Sequence, residues 1–68
     1  MSYYVDVILP IPVNQKFTYI ISKDEYDFIK PGMRIIVPFG KSKLYTSVSY
    51  ETYDHYESDY ELKSIIQI

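Results

Sequence analysis

The chain contains no alanine and only three leucines, against ten isoleucines, five valines and three threonines. Nine tyrosines and three phenylalanines accompany them. β-Branched and aromatic side chains lose rotamer freedom against the turns of a helix but fit a pleated, half-buried surface. The composition therefore points to an all-β protein. Apolar residues make up 47% of the chain, which is ordinary for a packed domain and too high for a disordered one.

Length then sets a ceiling. A chain of 68 residues forms one domain and buries only about 60% of the surface its unfolded form exposes. Neither a (β/α)8 barrel nor a complete dinucleotide-binding sheet fits. There is no cysteine, hence no disulfide framework, thiolate metal site or thiol nucleophile, which accords with a reducing compartment. His55 is the single histidine, so a histidine-based zinc cluster is excluded as well. No apolar run approaches the roughly 18 residues of a membrane span, and no basic signal-peptide region opens the chain. The expected location is the cytoplasm, without membrane association.

Net charge is −2, but its two signs are unevenly spread. Residues 1–43 hold six Lys and Arg against four Asp and Glu, and residues 44–68 hold one Lys against five Asp and Glu. The imbalance is either ordinary surface charge or a small basic site with an acidic flank.

Along the chain, five segments have strand character. The first is Tyr3–Leu9, with Tyr3, Val5 and Val7 on one face and Tyr4, Asp6 and Ile8 on the other. Pro10-Ile11-Pro12 follows as an extended connector, since each proline lacks an N–H and restricts its predecessor. Phe17–Ile21 is the second strand. Ser22 with Glu25 three residues later matches a capping box, predicting a single helical turn that Pro31-Gly32 stops. Met33–Val37 and Leu44–Tyr50 are the third and fourth strands, and the short Pro38–Lys43 connection makes them an antiparallel hairpin. Residues 51–60 are acidic and tyrosine-rich, and either extend the fourth strand or form a polar loop. Leu62–Ile68 is the fifth strand. Five short strands with tight turns imply a small antiparallel barrel or rolled sheet. The chain ends on an apolar strand, which points to a single domain, residues 1–68, cut from a longer protein.

Catalytic chemistry finds no support. His55 sits in an acidic stretch and reads as a surface residue, and the carboxylate pairs Asp24/Asp27 and Asp54/Glu57 read as solvated faces. With Gly32 and Gly40 the only glycines, no phosphate-cradling loop can be written. Binding has more support, because tyrosine joins a flat apolar ring to a polar tip. Rings beside a basic patch suit stacked nucleic-acid bases, and Phe17, Tyr19, Phe39, Lys41 and Lys43 are the candidates. Alternatively, Phe17 and Tyr19 are simply alternate inward positions that fill the core.

An ordered series of motifs narrows these alternatives. The opening strand runs into Leu9-Pro10-Ile11-Pro12, then Phe17-Thr18-Tyr19, Pro31-Gly32, Arg34-Ile35-Ile36-Val37-Pro38-Phe39-Gly40-Lys41 and finally Glu61-Leu62-Lys63. Over essentially its whole length the chain resembles the N-terminal 3′ DNA-binding domain of PriA, the replication-restart helicase also called primosomal protein N′. The resemblance implies a module that holds the 3′-terminal nucleotide of the nascent leading strand at a stalled fork during primosome assembly. It implies Phe17, Thr18, Tyr19, Gly40 and Lys63 as DNA contacts, and Lys41 joins them as the lysine of the Pro38-Phe39-Gly40-Lys41 turn.

Two positions depart from the family pattern. Thr18 stands where relatives usually carry Asp, which keeps a hydroxyl and loses a carboxylate. Ser47 stands where relatives often carry Gly, with strand twist the expected consequence. The resemblance further implies a parent ATP-dependent 3′–5′ DNA helicase with Mg and zinc, acting at branched forks with primosome proteins and single-strand binding protein. None of the motifs for those cofactors lies in these residues, so the expectation for this chain is no enzyme activity. The alternative is a protein-interaction module that uses the tyrosine-rich acidic stretch 50–60.

Overall fold

The computed structural model describes residues 2–55 and 61–68. Four strands form one sheet: β1 (Tyr3–Ile8), β2 (Phe17–Ile21), β3 (Arg34–Phe39) and β4 (Lys43–Tyr53). Their spatial order is β2-β1-β4-β3, and every neighbouring pair is antiparallel. The sheet curls into a half-barrel, so the expected all-β, barrel-like architecture is present.

Alternation along each strand decides what the curl encloses. Val5, Val7, Ile35 and Val37 lose all solvent exposure, and Leu9, Tyr19, Ile21, Ile29 and Ile65 complete the core. In the β1–β2 register Val5 faces Tyr19 and Val7 faces Phe17, which stacks the inward residues of both strands on one side. Asp6 and Thr18 face each other on the outer side of the same pair.

The helical segment is α1 (Lys23–Phe28), slightly more than the single turn expected. Its capping box forms as anticipated: the Ser22 hydroxyl accepts from the Glu25 N–H at 3.1 Å, and the Glu25 carboxylate accepts from the Ser22 N–H at 2.8 Å. Tyr26 of α1 packs on Tyr3, ring centres 4.6 Å apart. After Pro31, Gly32 adopts φ +90°, and Ser49 pins the turn. The Ser49 hydroxyl donates to the Lys30 carbonyl at 2.6 Å and accepts from the Met33 N–H at 2.9 Å.

Four strand expectations shift, the smallest being that β1 ends at Ile8, one residue before Leu9. The third strand starts one residue later than Met33 and runs through Pro38 to Phe39. A proline is tolerated there because β3 is an edge strand. The fourth strand runs from Lys43 through the start of the acidic stretch to Tyr53. Its register with β1 jumps from Asp6–Glu51 to Val7–Ser49, which leaves Tyr50 as the extra residue of a β-bulge.

The largest correction concerns Leu62–Ile68, which is a strap and not a fifth strand. Ser64 bridges to Ile20 of β2 in parallel, and Gln67 bridges to Ile36 of β3 antiparallel. The Ile20 N–H donates to the Lys63 carbonyl at 2.9 Å, and the Ile36 N–H donates to the Gln67 carbonyl at 2.8 Å. The strap thus ties the two free edges of the sheet together across the open side of the half-barrel. A segment that leaves one edge for the other within three residues pairs once with each and builds no ladder. Ile65, between the two bridges, points into the core.

Candidate nucleic-acid interface

A cleft of about 420 Å³ opens where the outer edge of β2, the β3–β4 turn and the strap meet. Each side supplies residues for a local reason. On β2, Phe17 and Tyr19 share the inward face by strand alternation. Phe17 stays half-buried at the sheet end and meets Phe39 edge-on, ring centres 5.1 Å apart. Tyr19 lies deeper, only 5% exposed, and its hydroxyl donates to the Pro38 carbonyl at 2.7 Å. Burial raises the Tyr19 phenol above its ordinary pKa.

On the turn, Gly40 adopts φ +75°, a conformation that opposes any Cβ. On the strap, the bond between the Lys63 carbonyl and Ile20 sets the Lys63 side chain over the turn. Its ammonium donates to the Gly40 carbonyl at 3.1 Å. Lys16 and Glu61 also line the cleft, so two cations and one carboxylate surround its mouth. An apolar flank, a close-lying backbone turn and a cationic rim are the parts needed to hold one nucleotide.

These residues lie far apart in the chain and meet only in the fold. The family model for the 3′ DNA-binding domain of PriA matches residues 6–68. The chain belongs to that family. It is therefore a 3′ DNA-binding module. No curated protein and no solved structure matches it.

Within this 3′ DNA-binding domain, Phe17, Thr18, Tyr19, Gly40 and Lys63 line one cleft. Lys41, the sixth expected contact, is exposed on the turn beside Gly40 and outside the lining. Tyr19 fills the core, as the core reading of the aromatic pair expects, whereas Phe17 is half-buried between core and cleft. Ser47 is fully buried, and its hydroxyl donates to the Ile35 carbonyl at 2.7 Å.

Thr18 is held by residues that sequence reasoning did not connect to it. Its hydroxyl donates to the Asp6 carboxylate at 2.6 Å, and the Tyr53 hydroxyl donates to the same oxygen at 2.7 Å. A carboxylate thus lies directly across the strand pair from Thr18. Tyr53 also stacks on Tyr4, ring centres 5.8 Å apart. Strand register is the signal that could have found this cluster, once Val5 and Val7 are both assigned inward. Gln15, Lys16 and Glu61 were missed because loop residues carry no periodicity.

The other candidates fall elsewhere. Asp27 accepts an ion pair from Lys23 at 3.0 Å on the exposed side of α1. Among the described residues no group of three His, Cys, Asp or Glu is placed to hold a metal ion. No helix among them is long and apolar enough to cross a membrane. Of the acidic stretch 50–60, residues 50–53 belong to β4, and residues 56–60 lie outside the described residues.

Proposed function

We propose that this cleft takes the unpaired 3′-terminal nucleotide of a nascent leading strand at a stalled fork. In doing so the domain orients a PriA-type replication-restart helicase on branched DNA in the cytoplasm. The helicase's ATP, Mg and zinc chemistry, and its contacts with primosome proteins and single-strand binding protein, belong to the parent.

One observation carries the reading: Lys63 of the strap reaches Gly40 of the turn at the mouth of a cleft flanked by Phe17. Phe17 offers its ring to the terminal base, and Lys63 and Lys16 offer ammonium groups to phosphate or the terminal hydroxyl. The strap, attached to β2 through Ile20, borders the cleft on one side. Gripping one nucleotide neutralises few phosphates, so a net charge of −2 is no obstacle. The same economy makes the isolated affinity weak and salt-dependent, with attachment to the parent supplying the remainder.

The test is fluorescence anisotropy at low salt with two oligonucleotides that differ only at the terminus, a 3′-hydroxyl against a 3′-phosphate. Tighter binding of the hydroxyl form is expected. Phe17→Ala should weaken it by about 5- to 100-fold, the range for one base stacked on one ring. Lys63→Ala should weaken binding of both oligonucleotides and reduce the salt dependence. Equal binding of both oligonucleotides, unaltered by either substitution, would falsify the proposal.

A further inference from the structure

The outer face of the sheet carries a second cleft that the end-binding reading leaves unused. It also measures about 420 Å³ and is lined by Ile8 of β1 and by Val13, Asn14, Gln15 and Lys16 of the β1–β2 connection. Gln15 and Lys16 line both clefts, so the two are consecutive parts of one surface path. From Lys16 the path continues across β1 to β4. The Lys16 ammonium lies 3.9 Å above the centre of the Tyr50 ring. Tyr50 is the bulged residue of β4, left out of the pairing with β1, and it is 46% exposed. Beside it, Ile8 and Val48 face each other across the strand pair, 47% and 42% exposed.

An exposed cation, a flat exposed ring and an apolar floor are the components of a single-strand stacking platform. A base takes the ring face, and the cation takes a phosphate. In the free protein Lys16 covers Tyr50, but an exposed ammonium–ring pair is weak. A phosphate entering between the clefts draws the lysine off the ring and uncovers it for a base.

The geometry points to this second cleft as the seat of the nucleotides that immediately precede the 3′ terminus. Tyr50 stacks the base of a nucleotide beyond the penultimate one, and Lys16 meets the phosphate that joins the penultimate to the terminal nucleotide. The strand polarity in this inference rests on the end-binding reading above. A nucleic-acid occupant is favoured over an apolar peptide or a second copy of the chain. The path begins in a DNA-binding cleft and carries a cation at the junction.

The experiment compares a dinucleotide with a tetranucleotide, both ending in a 3′-hydroxyl, on the wild type and on Tyr50→Ala, Tyr50→Phe and Lys16→Gln. The wild type should bind the tetranucleotide at least about 5-fold more tightly than the dinucleotide. Tyr50→Ala should abolish that gain and leave dinucleotide affinity and the preference for 3′-hydroxyl over 3′-phosphate unchanged. Tyr50→Phe should keep the gain, because the ring and not the hydroxyl does the stacking. Lys16→Gln should reduce the slope of log affinity against log salt for the tetranucleotide by about 0.7. A wild type with no gain, or a gain that survives Tyr50→Ala, overturns the inference. A length gain that depends on Tyr50, without discrimination at the terminus, supports the platform and overturns the end-binding reading instead.

Discussion

Replacing Tyr19 with Phe removes one oxygen atom and tests how the half-barrel is held shut. Tyr19 belongs to β2 and its acceptor, the Pro38 carbonyl, to β3. These strands are the two edges of the sheet and do not pair with each other. The hydroxyl therefore links elements that the ladder leaves unconnected. It also fixes the turn that carries Phe39 and Gly40 into the cleft. Tyr19→Phe keeps the buried ring and deletes the 2.7 Å hydrogen bond, which costs about 1 kcal/mol at a partly buried site. A domain of this size has about 3–10 kcal/mol of stability in all, so the loss is readily seen in urea denaturation followed by circular dichroism.

The same residue makes the effect depend on pH. Burial raises the folded-state pKa of Tyr19 above the unfolded value of about 10. Below that pH both states keep the proton, and the stability difference between wild type and Tyr19→Phe is fully present. Above it the unfolded chain loses the proton while the folded chain retains it, and the wild type's advantage falls until the folded pKa is passed. The other eight tyrosines are common to both proteins, so their ionisation cancels in the difference. A Tyr19→Phe variant within about 0.5 kcal/mol of wild type at neutral pH would refute the linking role. A difference that stays constant into alkaline solution would refute the burial argument.

Two further outcomes are expected. Gly40→Ala meets no atom within 4 Å of the new Cβ, so its cost comes from φ +75° alone, about 1 kcal/mol in a thermal melt. A D-alanine at the same position, introduced by chemical synthesis, should be neutral or stabilising, and equal melts for the two enantiomers would contradict the assignment. Asp6→Ala removes the acceptor of both the Thr18 and the Tyr53 hydroxyls and should destabilise by about 1–3 kcal/mol in urea. A double-mutant cycle of Asp6→Ala with Thr18→Val should show coupling of at least about 0.5 kcal/mol, and strict additivity would mean the bond contributes nothing.

Much of the fold was legible because its causes are local. Two-residue alternation put Val5, Val7 and Tyr19 on the buried side, since a pleated strand offers only two faces. Ser22 and Glu25 marked the start of α1 through hydrogen bonds that span three residues. Pro38-Phe39-Gly40 announced the hairpin turn, and only glycine adopts φ +75° without strain. The same regularities misjudged Leu62–Ile68. Its composition suits a strand, but strand character is silent on whether a partner edge runs alongside it or crosses it.

The candidate site divides in the same way. Phe17, Gly40 and Lys63 stand out in the sequence through the motifs that carry the resemblance. That Lys63 reaches Gly40 depends on the strap crossing from β2 to β3, which no pattern within residues 61–68 encodes. That the Thr18 hydroxyl donates a hydrogen bond to Asp6 depends on the β1–β2 register, and that Tyr50 stands out of the sheet depends on a bulge against β1. Sequence determined the alphabet of strands, caps and turns, because propensity and alternation act over a few neighbouring residues. Tertiary structure alone decided which strands meet, in what register and across which gap, because those choices follow from burying one shared core.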